Sequence, residues 1–275
     1  MLNFIKGCDK MEKIAIISDV HANITALNAV LNDIEKRHIT RIFCLGDTVA
    51  KCTHPDLVID LLQKKCEVIL LGNSDYSICR PEQKALNFWS RKIIGEERAS
   101  FIYNLPKYHE FYMSGHFIRL FHACPYDLDS IYNPMYSNKN NNSYKSEFHS
   151  PEKLFDNTDF LGNKNSNITP DIVGYGHIHT PFVVRYKNKT LFNPGSVGIP
   201  VEMLNDNVNE KSNIFSTLAS YIILEGNYGS TALDSISFNL VRIPYDIEKE
   251  LHDLELSDMP NKEVIIRSLK GALPT

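Results

Sequence analysis

Three short apolar runs, separated by stretches patterned as helices and each ending at a polar motif, constrain this chain more than any other feature. Residues 13–18 (KIAIIS) read as a buried strand. Residues 24–37 then carry apolar side chains at helical spacing (Ile24, Leu27, Val30, Leu31, Ile34), with Asn23 placed as an N-cap. Residues 41–45 form a second strand, 56–65 a second helix and 67–71 a third strand. This β-α-β-α-β rhythm argues for parallel strands, and ligands collect at the carboxyl ends of such strands. The three endings are Asp19-Val20-His21, Gly46-Asp47 and Gly72-Asn73, so side chains far apart in sequence are expected to converge.

Two later features add to the set. Residues 111–122 look like a hairpin turning at Ser114-Gly115 and ending at His122, and a strand over 171–174 leads into Gly176-His177-Ile178-His179. Together the motifs supply two aspartates, four histidines and one asparagine. Asp19 and His21, two apart on a strand end, point the same way and could share one metal. Asp47 follows a glycine and is free to bridge two ions, Asn73 offers a neutral oxygen, and His177 and His179 could reach the two ions separately. Nitrogen and oxygen ligands without thiolate suit manganese, iron or zinc better than calcium. Two such ions about 3.5–4 Å apart acidify a bridging water and neutralise phosphoryl oxygens. The expected chemistry is therefore phosphoester hydrolysis, a bridging hydroxide attacking phosphorus in line.

The remaining sequence fits one α/β domain over 11–275, preceded by a short extension over 1–10, with Met11 as a possible second start. Residues 82–103 read as one long helix or two broken near Gly95. Residues 127–170 are irregular and asparagine-rich, and read as a surface loop around a short helix or, more sharply, as a substrate-covering lid. A hairpin is expected over 182–192, late strands over 220–224 and 236–243, and a closing helix over 246–254. The net charge of −4, with no basic cluster, disfavours extended nucleic acid but not a nucleotide. Apolar runs are strand-sized, which argues against a membrane span, and the first ten residues hold no apolar stretch of the length expected of a signal peptide. The six cysteines lack CxxC spacing and look reduced, as in a cytoplasmic protein. Tyr76, Trp89 and Tyr126 could stack on a base and Arg80 and Arg91 could reach a phosphate, although packing and solvated faces explain each of them. Cys124 reads as a packing residue, and a homodimer through the carboxyl-terminal strands or helix is conceivable.

In this order the motifs resemble the calcineurin-like metallophosphoesterase superfamily, over roughly residues 13–200. Asn193-Pro194-Gly195-Ser196 resembles its smaller prokaryotic phosphodiesterase branch. Arg242-x-Pro244-Tyr245-Asp246 is similar to a bacterial subgroup that includes asymmetric diadenosine tetraphosphate hydrolases. The resemblance implies a four-layer α/β/β/α sandwich. It implies that Asp19, His21, Asp47 and His179 hold one metal, manganese before iron or zinc, and that Asp47, Asn73, His122 and His177 hold the other. Asn23, Ser74, Asp75 and Tyr76 are expected among the substrate contacts.

One departure is informative. Many members carry histidine after the asparagine, where it protonates the leaving group, and the phosphoprotein phosphatase branch supports it with an aspartate three residues after the bridging one. This chain has Ser74 and Ala50 there. General-acid help is worth about 10²–10⁴-fold, so a leaving group that departs as a phosphate anion is favoured. Asp75 is a candidate replacement acid, or a cap of the following turn. The expected substrate is small and phosphorylated, a dinucleoside polyphosphate in the first place. A phosphoprotein phosphatase and a catalytically silent scaffold are the alternatives; the missing dyad argues against the first and the complete ligand set against the second.

Overall fold

A computed structural model describes residues 11–80, 84–134, 151–158, 160–162, 168–201 and 215–272. The chain opens with β1 (Glu12–Ile17), α1 (Ile24–Lys36), β2 (Arg41–Cys44), α2 (Pro55–Lys65) and β3 (Val68–Ile69). Then come α3 (Asn73–Ile78), α4 (Ala85–Tyr103) and the hairpin of β4 (Tyr108–Met113) and β5 (His116–Phe121). After β6 (Ile172–Tyr175), β7 (Phe182–Tyr186) and β8 (Lys189–Asn193), the chain closes with β9 (Leu218–Gly226), β10 (Ser237–Pro244), α5 (Ile247–Leu256) and α6 (Lys262–Ala272).

Two five-stranded mixed sheets result, ordered β10-β9-β1-β2-β3 and β4-β5-β6-β8-β7. β1, β2 and β3 run parallel as expected, with Ile14 opposite Arg41, while β9 pairs antiparallel with the other edge of β1. β1 is apolar from Ile14 to Ile17 because both its faces are covered. Ile14 and Ile16 meet Ile118, Leu120 and Phe192 of the second sheet, whereas Ala15 and Ile17 face Leu27, Val30 and Ile34 of α1. Each such aliphatic side chain contributes about 1.5–3 kcal/mol by leaving water.

α1 starts where expected because the Asn23 side chain accepts from the Ala26 N–H at 2.9 Å, and its apolar stripe lies on the sheet. Helices α1 to α4 share the outer face of the first sheet, and α4 bends at Gly95 (φ 73°), the break anticipated from sequence. α5 and α6 pack on each other and against Leu86 and Trp89 of α4. α6 was not anticipated.

The outer face of the second sheet carries a different cover. A 3₁₀ turn over Pro151–Phe155 places Leu154 and Phe155, with Tyr132 and Leu161, on Phe121, Val173, Tyr175 and Leu191. Arg119, fully buried beneath this cover, donates to Glu110 (2.6 Å) and to the Asp156 carbonyl (2.9 Å). The described parts of 127–170 hold one short helix among stretches without regular secondary structure, and their apolar side chains cover the sheet face. Residues 135–150, like the extension over 1–10, lie outside the described residues. No helix among the described residues is long and apolar enough to cross a membrane.

Candidate metal centre

All seven expected ligands lie in segments that follow strands, but the local geometry differs from simple strand alternation. β1 ends at Ile17, so Asp19 and His21 stand beyond it with left-handed backbone (φ 53° and 49°). Asp47, His177 and His179 share that conformation (φ 53°, 68° and 63°). Left-handed backbone costs a non-glycine residue roughly 1–2 kcal/mol, and its concentration here marks a strained cluster held by its surroundings. Main-chain bonds supply the hold: the Asp19 N–H donates to the Gly46 carbonyl (3.0 Å) and the His21 N–H to the Asp47 carbonyl (2.9 Å), joining the turns after β1 and β2. Two motif glycines permit the close approach. A Cβ on Gly72 would stand 2.2 Å from Asp47 Oδ1, and one on Gly176 would stand 2.0 Å from Ser18 Oγ.

Each histidine has one ring nitrogen against a backbone carbonyl, which can only accept. Nδ1 of His21 faces the Val49 carbonyl (3.3 Å), Nδ1 of His122 that of Leu45 (3.0 Å), Nδ1 of His179 that of Ile199 (2.7 Å) and Nε2 of His177 that of Asp129 (3.1 Å). When such a ring is neutral, the nitrogen at the carbonyl carries the proton and the opposite nitrogen has a lone pair. The four lone pairs converge. Nε2 of His21 lies 3.0 Å from Nε2 of His179, and Nε2 of His122 and Nδ1 of His177 lie 3.0 and 3.2 Å from Asn73 Oδ1.

The carboxylates join this arrangement. Asp19 Oδ1 lies 3.2 Å from His179 Nε2 and 3.7 Å from His21 Nε2. The two oxygens of Asp47 divide between the clusters, Oδ2 at 3.5 Å from His21 Nε2 and Oδ1 at 3.4 Å from His122 Nε2. Asp19, His21 and His179 form one set of mutually close ligand atoms, and Asp19, Asp47 and His122 a second. The first set lacks the expected Asp47 and the second adds Asp19, while Asn73 adjoins the second at 3.0 Å from His122 Nε2 and His177 lies 3.2 Å from Asn73.

The fit of these residues to divalent cations can be judged from their polarity. Lone pairs and carboxylate oxygens 3–4 Å apart repel unless positive charge lies among them, and Asp19 Oδ1 is buried without a hydrogen-bond partner. Burial opposes ionisation of Asp19, but His179, His122 and His21 hold its carboxyl well below the usual range. Burial opposes ionisation of Asp47 too, and His122 and His21 outweigh it. Burial, with Lys51 and with His122 respectively, drives His21 well down and His177 to about 4, keeping both rings neutral as metal ligation requires, whereas at His122 burial is outweighed by Asp47 and Asp19 and the ring is held more basic. The donor set therefore fits hard or borderline divalent ions.

The expected substrate contacts fare differently. Asn23 is fully buried, its amide spent on the α1 cap and on the Gly198 carbonyl (3.0 Å), so it is a structural link. Ser74 orients Asp47: its N–H donates to Oδ1 (2.8 Å) and its hydroxyl to Oδ2 (2.7 Å). Asp75 is fully buried, accepting from Thr48 N–H, Thr48 hydroxyl, Val49 N–H and Gly72 N–H. It braces two loops rather than offering an exposed acid, and burial, then Asp47, pushes its carboxyl up to about 6. Tyr76 is partly buried, with the Arg80 guanidinium 4.3 Å over its ring. Trp89 donates to Asp258 (2.7 Å), Tyr126 to Asp156 and Arg91 to Glu96 (2.6 Å). Cys124 accepts from Tyr126 N–H (3.4 Å) and Asp127 N–H (3.3 Å), a packing role as expected.

Two participants escape the sequence reading. Lys51, in a left-handed turn (φ 71°), brings Nζ to 2.8 Å from His21 Nε2. Its position four residues after Asp47 was the available signal. The Asp129 carbonyl at His177 shows that the start of the 127–170 segment borders the cluster.

Known proteins bear on this geometry. A family model described as the calcineurin-like phosphoesterase superfamily domain matches residues 12–210. An uncharacterized protein of Methanocaldococcus jannaschii is 29% identical over 273 residues, covering 90% of this chain and 93% of its own. A metallophosphoesterase of Sphaerobacter thermophilus has a similar structure, with TM-score 0.64 at 20% identity, over 95% of this chain and 99% of that one. A hypothetical protein of Pyrococcus horikoshii reaches 0.67 at 15% identity, over 96% and 100%. The two structures share the sandwich of two sheets flanked by helices, and the family match spans every expected ligand from Asp19 to His179: this chain belongs to the calcineurin-like phosphoesterase superfamily.

Proposed function

We propose that this hydrolase of phosphate esters is a two-metal phosphodiesterase or nucleotide pyrophosphatase. The observation that carries the reading is the convergence of ring nitrogens of His21, His122, His177 and His179 with Asp19, Asp47 and Asn73. Asp19, His21, Asp47 and His179 would hold one ion, and Asp47, Asn73, His122 and His177 the other, with manganese first and iron or zinc after it. When bound, the ions supply an acidified water and neutralise phosphoryl oxygens. The chain's own residues do the rest. Ser74 fixes the Asp47 carboxylate, the four backbone carbonyls hold the imidazoles in one tautomer, and Lys51 adds a cation beside the cluster.

The preference among leaving groups is read from the two side chains that follow Asn73. The Ser74 hydroxyl is committed to Asp47 and Asp75 is walled in, so neither is free to protonate an alkoxide. Phosphoanhydrides and aryl diesters, whose leaving groups depart as stable anions, suit such a site better than alkyl monoesters, and a dinucleoside polyphosphate is the natural candidate. Buried or half-buried free thiols at Cys44, Cys52, Cys66, Cys79 and Cys124 fit a reducing, cytoplasmic setting.

A manganese-supplemented panel tests this: bis-p-nitrophenyl phosphate, diadenosine tetraphosphate, a cyclic nucleotide, an alkyl phosphomonoester and a phosphopeptide. The expected result is turnover of the first two, with Asp47→Asn silencing all activity. Faster turnover of the alkyl monoester or phosphopeptide, or activity surviving Asp47→Asn, overturns the reading.

A further inference from the structure

One of the four clustered histidines is held differently from the rest. His21, His122 and His179 each set Nδ1 against a carbonyl in the protein interior, whereas His177 sets Nε2 against the Asp129 carbonyl (3.1 Å) at an exposed edge of the centre. The main chain of His177 is fixed separately, its N–H donating to Asp19 Oδ2 (2.9 Å). That bond leaves the ring free to turn, because the outer torsion of a histidine side chain has a broad minimum. The ring meets His122 edge to face, with centroids 5.2 Å apart, and brings Nδ1 to 3.2 Å from Asn73 Oδ1. The polar anchor that sets this rotation is the bond at the opposite nitrogen.

The anchor is only as firm as the turn that carries it. Residues 122–134 follow β5 without helix or strand. Within them, Asp127 Oδ1 accepts from the N–H groups of Asp129 (2.8 Å) and Ser130 (2.6 Å), and Asp127 Oδ2 accepts from the Ser130 hydroxyl. An aspartate bonded to the backbone two residues on stands in for a main-chain turn. The Ser130 N–H and the Asp129 carbonyl belong to one planar trans peptide, so they point in opposite directions. Fixing that N–H on Asp127 therefore aims the carbonyl at His177. Burial opposes ionisation of Asp127, but Ser130 and the two N–H groups hold its carboxyl below the usual range, so it accepts as a carboxylate at neutral pH. The rest of the turn is seated by Cys124 Sγ, which accepts from the Asp127 N–H (3.3 Å), and by Leu128, which is buried in the core under the first sheet's helices.

We infer that Asp127 is a positioning residue for the metal centre: through the Asp129–Ser130 peptide it orients the His177 ring so that Nδ1 faces Asn73 and the ion that those two residues would share. The inference rests on the two-metal reading above and makes the two ions unequal. Both histidines assigned to the first ion, His21 and His179, are braced by buried carbonyls. The second ion has His122 braced in that way and His177 braced from an exposed turn that one side chain builds. Loosening the turn should therefore weaken one ion and spare the other.

The test is calorimetric titration of the full chain with manganese, on wild type, Asp127→Ala and Asp127→Asn. Asparagine keeps an Oδ1 for both N–H groups and an amide that donates to the Ser130 hydroxyl; alanine keeps neither. Wild type is expected to bind in two steps. In Asp127→Ala one step should weaken about tenfold or more, the usual effect of removing the partner that orients a ligand, and Asp127→Asn should recover most of the loss. Equal affinities in wild type and Asp127→Ala, equal weakening of both steps, or no recovery with asparagine overturns the inference. The ring's orientation is also read without metal, from carbon relaxation at the His177 ring, its signal identified by its loss in His177→Gln. The order parameter should fall in Asp127→Ala and stay at the wild-type value in Asp127→Asn; an unchanged value in Asp127→Ala overturns the inference. If wild type binds no manganese, or binds in one step, the two-metal reading falls, and the ring relaxation alone decides the part played by Asp127.

Discussion

Glu250→Gln should change not only how stable the protein is but how its stability depends on pH. The carboxyl titrates near 4.5 in an unfolded chain, and burial pushes it up to about 7 in its folded site. At about 1.36 kcal/mol per unit, that is about 3 kcal/mol. The sign follows from proton counting. Between the two values the native state holds a proton that the unfolded state has lost, so raising the pH favours unfolding. The contribution is fully present below about pH 4.5, drains away as pH rises and is gone above about pH 7. Glutamine keeps the neutral shape and never ionises. Urea unfolding of both proteins in chelator, at intervals from about pH 5 to about pH 8, should show the variant gaining on wild type by about 2–3 kcal/mol across that range. Any packing change from the amide shifts both ends equally. A stability difference that stays constant with pH would refute the claim that this carboxyl enters the fold neutral.

Ser74→Ala removes the hydroxyl that fixes Asp47 Oδ2 and should weaken manganese binding about 10-fold, read by calorimetric titration; unchanged affinity would return Ser74 to the substrate side. Asn23→Ala deletes the α1 cap and the bond to Gly198 and should cost about 1–2 kcal/mol in denaturant unfolding with KM unaltered, whereas a raised KM at full stability would restore its role as a substrate contact.

Much of the architecture was legible because it depends on local pattern. The stretch from Ile14 to Ile17 is apolar on both faces, which happens only to a strand covered twice, and α1 announces itself through its stripe and Asn23. α6 escaped for the opposite reason: its apolar side chains serve a small packing against α5, not the main core. The described cover over the second sheet looked like loop because polar residues surround Leu154 and Phe155, and only the exposed sheet face makes their burial favourable.

The site divides along the same line. The ligand identities and their order stand in the chain itself, because metal chemistry selects few residue types and a parallel sheet brings strand ends together. Tertiary structure decided the orientations: which imidazole nitrogen faces inward, through carbonyls at Leu45, Val49, Asp129 and Ile199, and which carboxylates are held, as Ser74 holds Asp47. It also brought Lys51 to the cluster and set Glu250 beside Cys52, 198 positions further along. Composition and periodicity report what a residue can bind and which face it prefers. A left-handed turn or a buried carboxyl's proton depends on neighbours that only folding supplies, and those neighbours are distant in the chain.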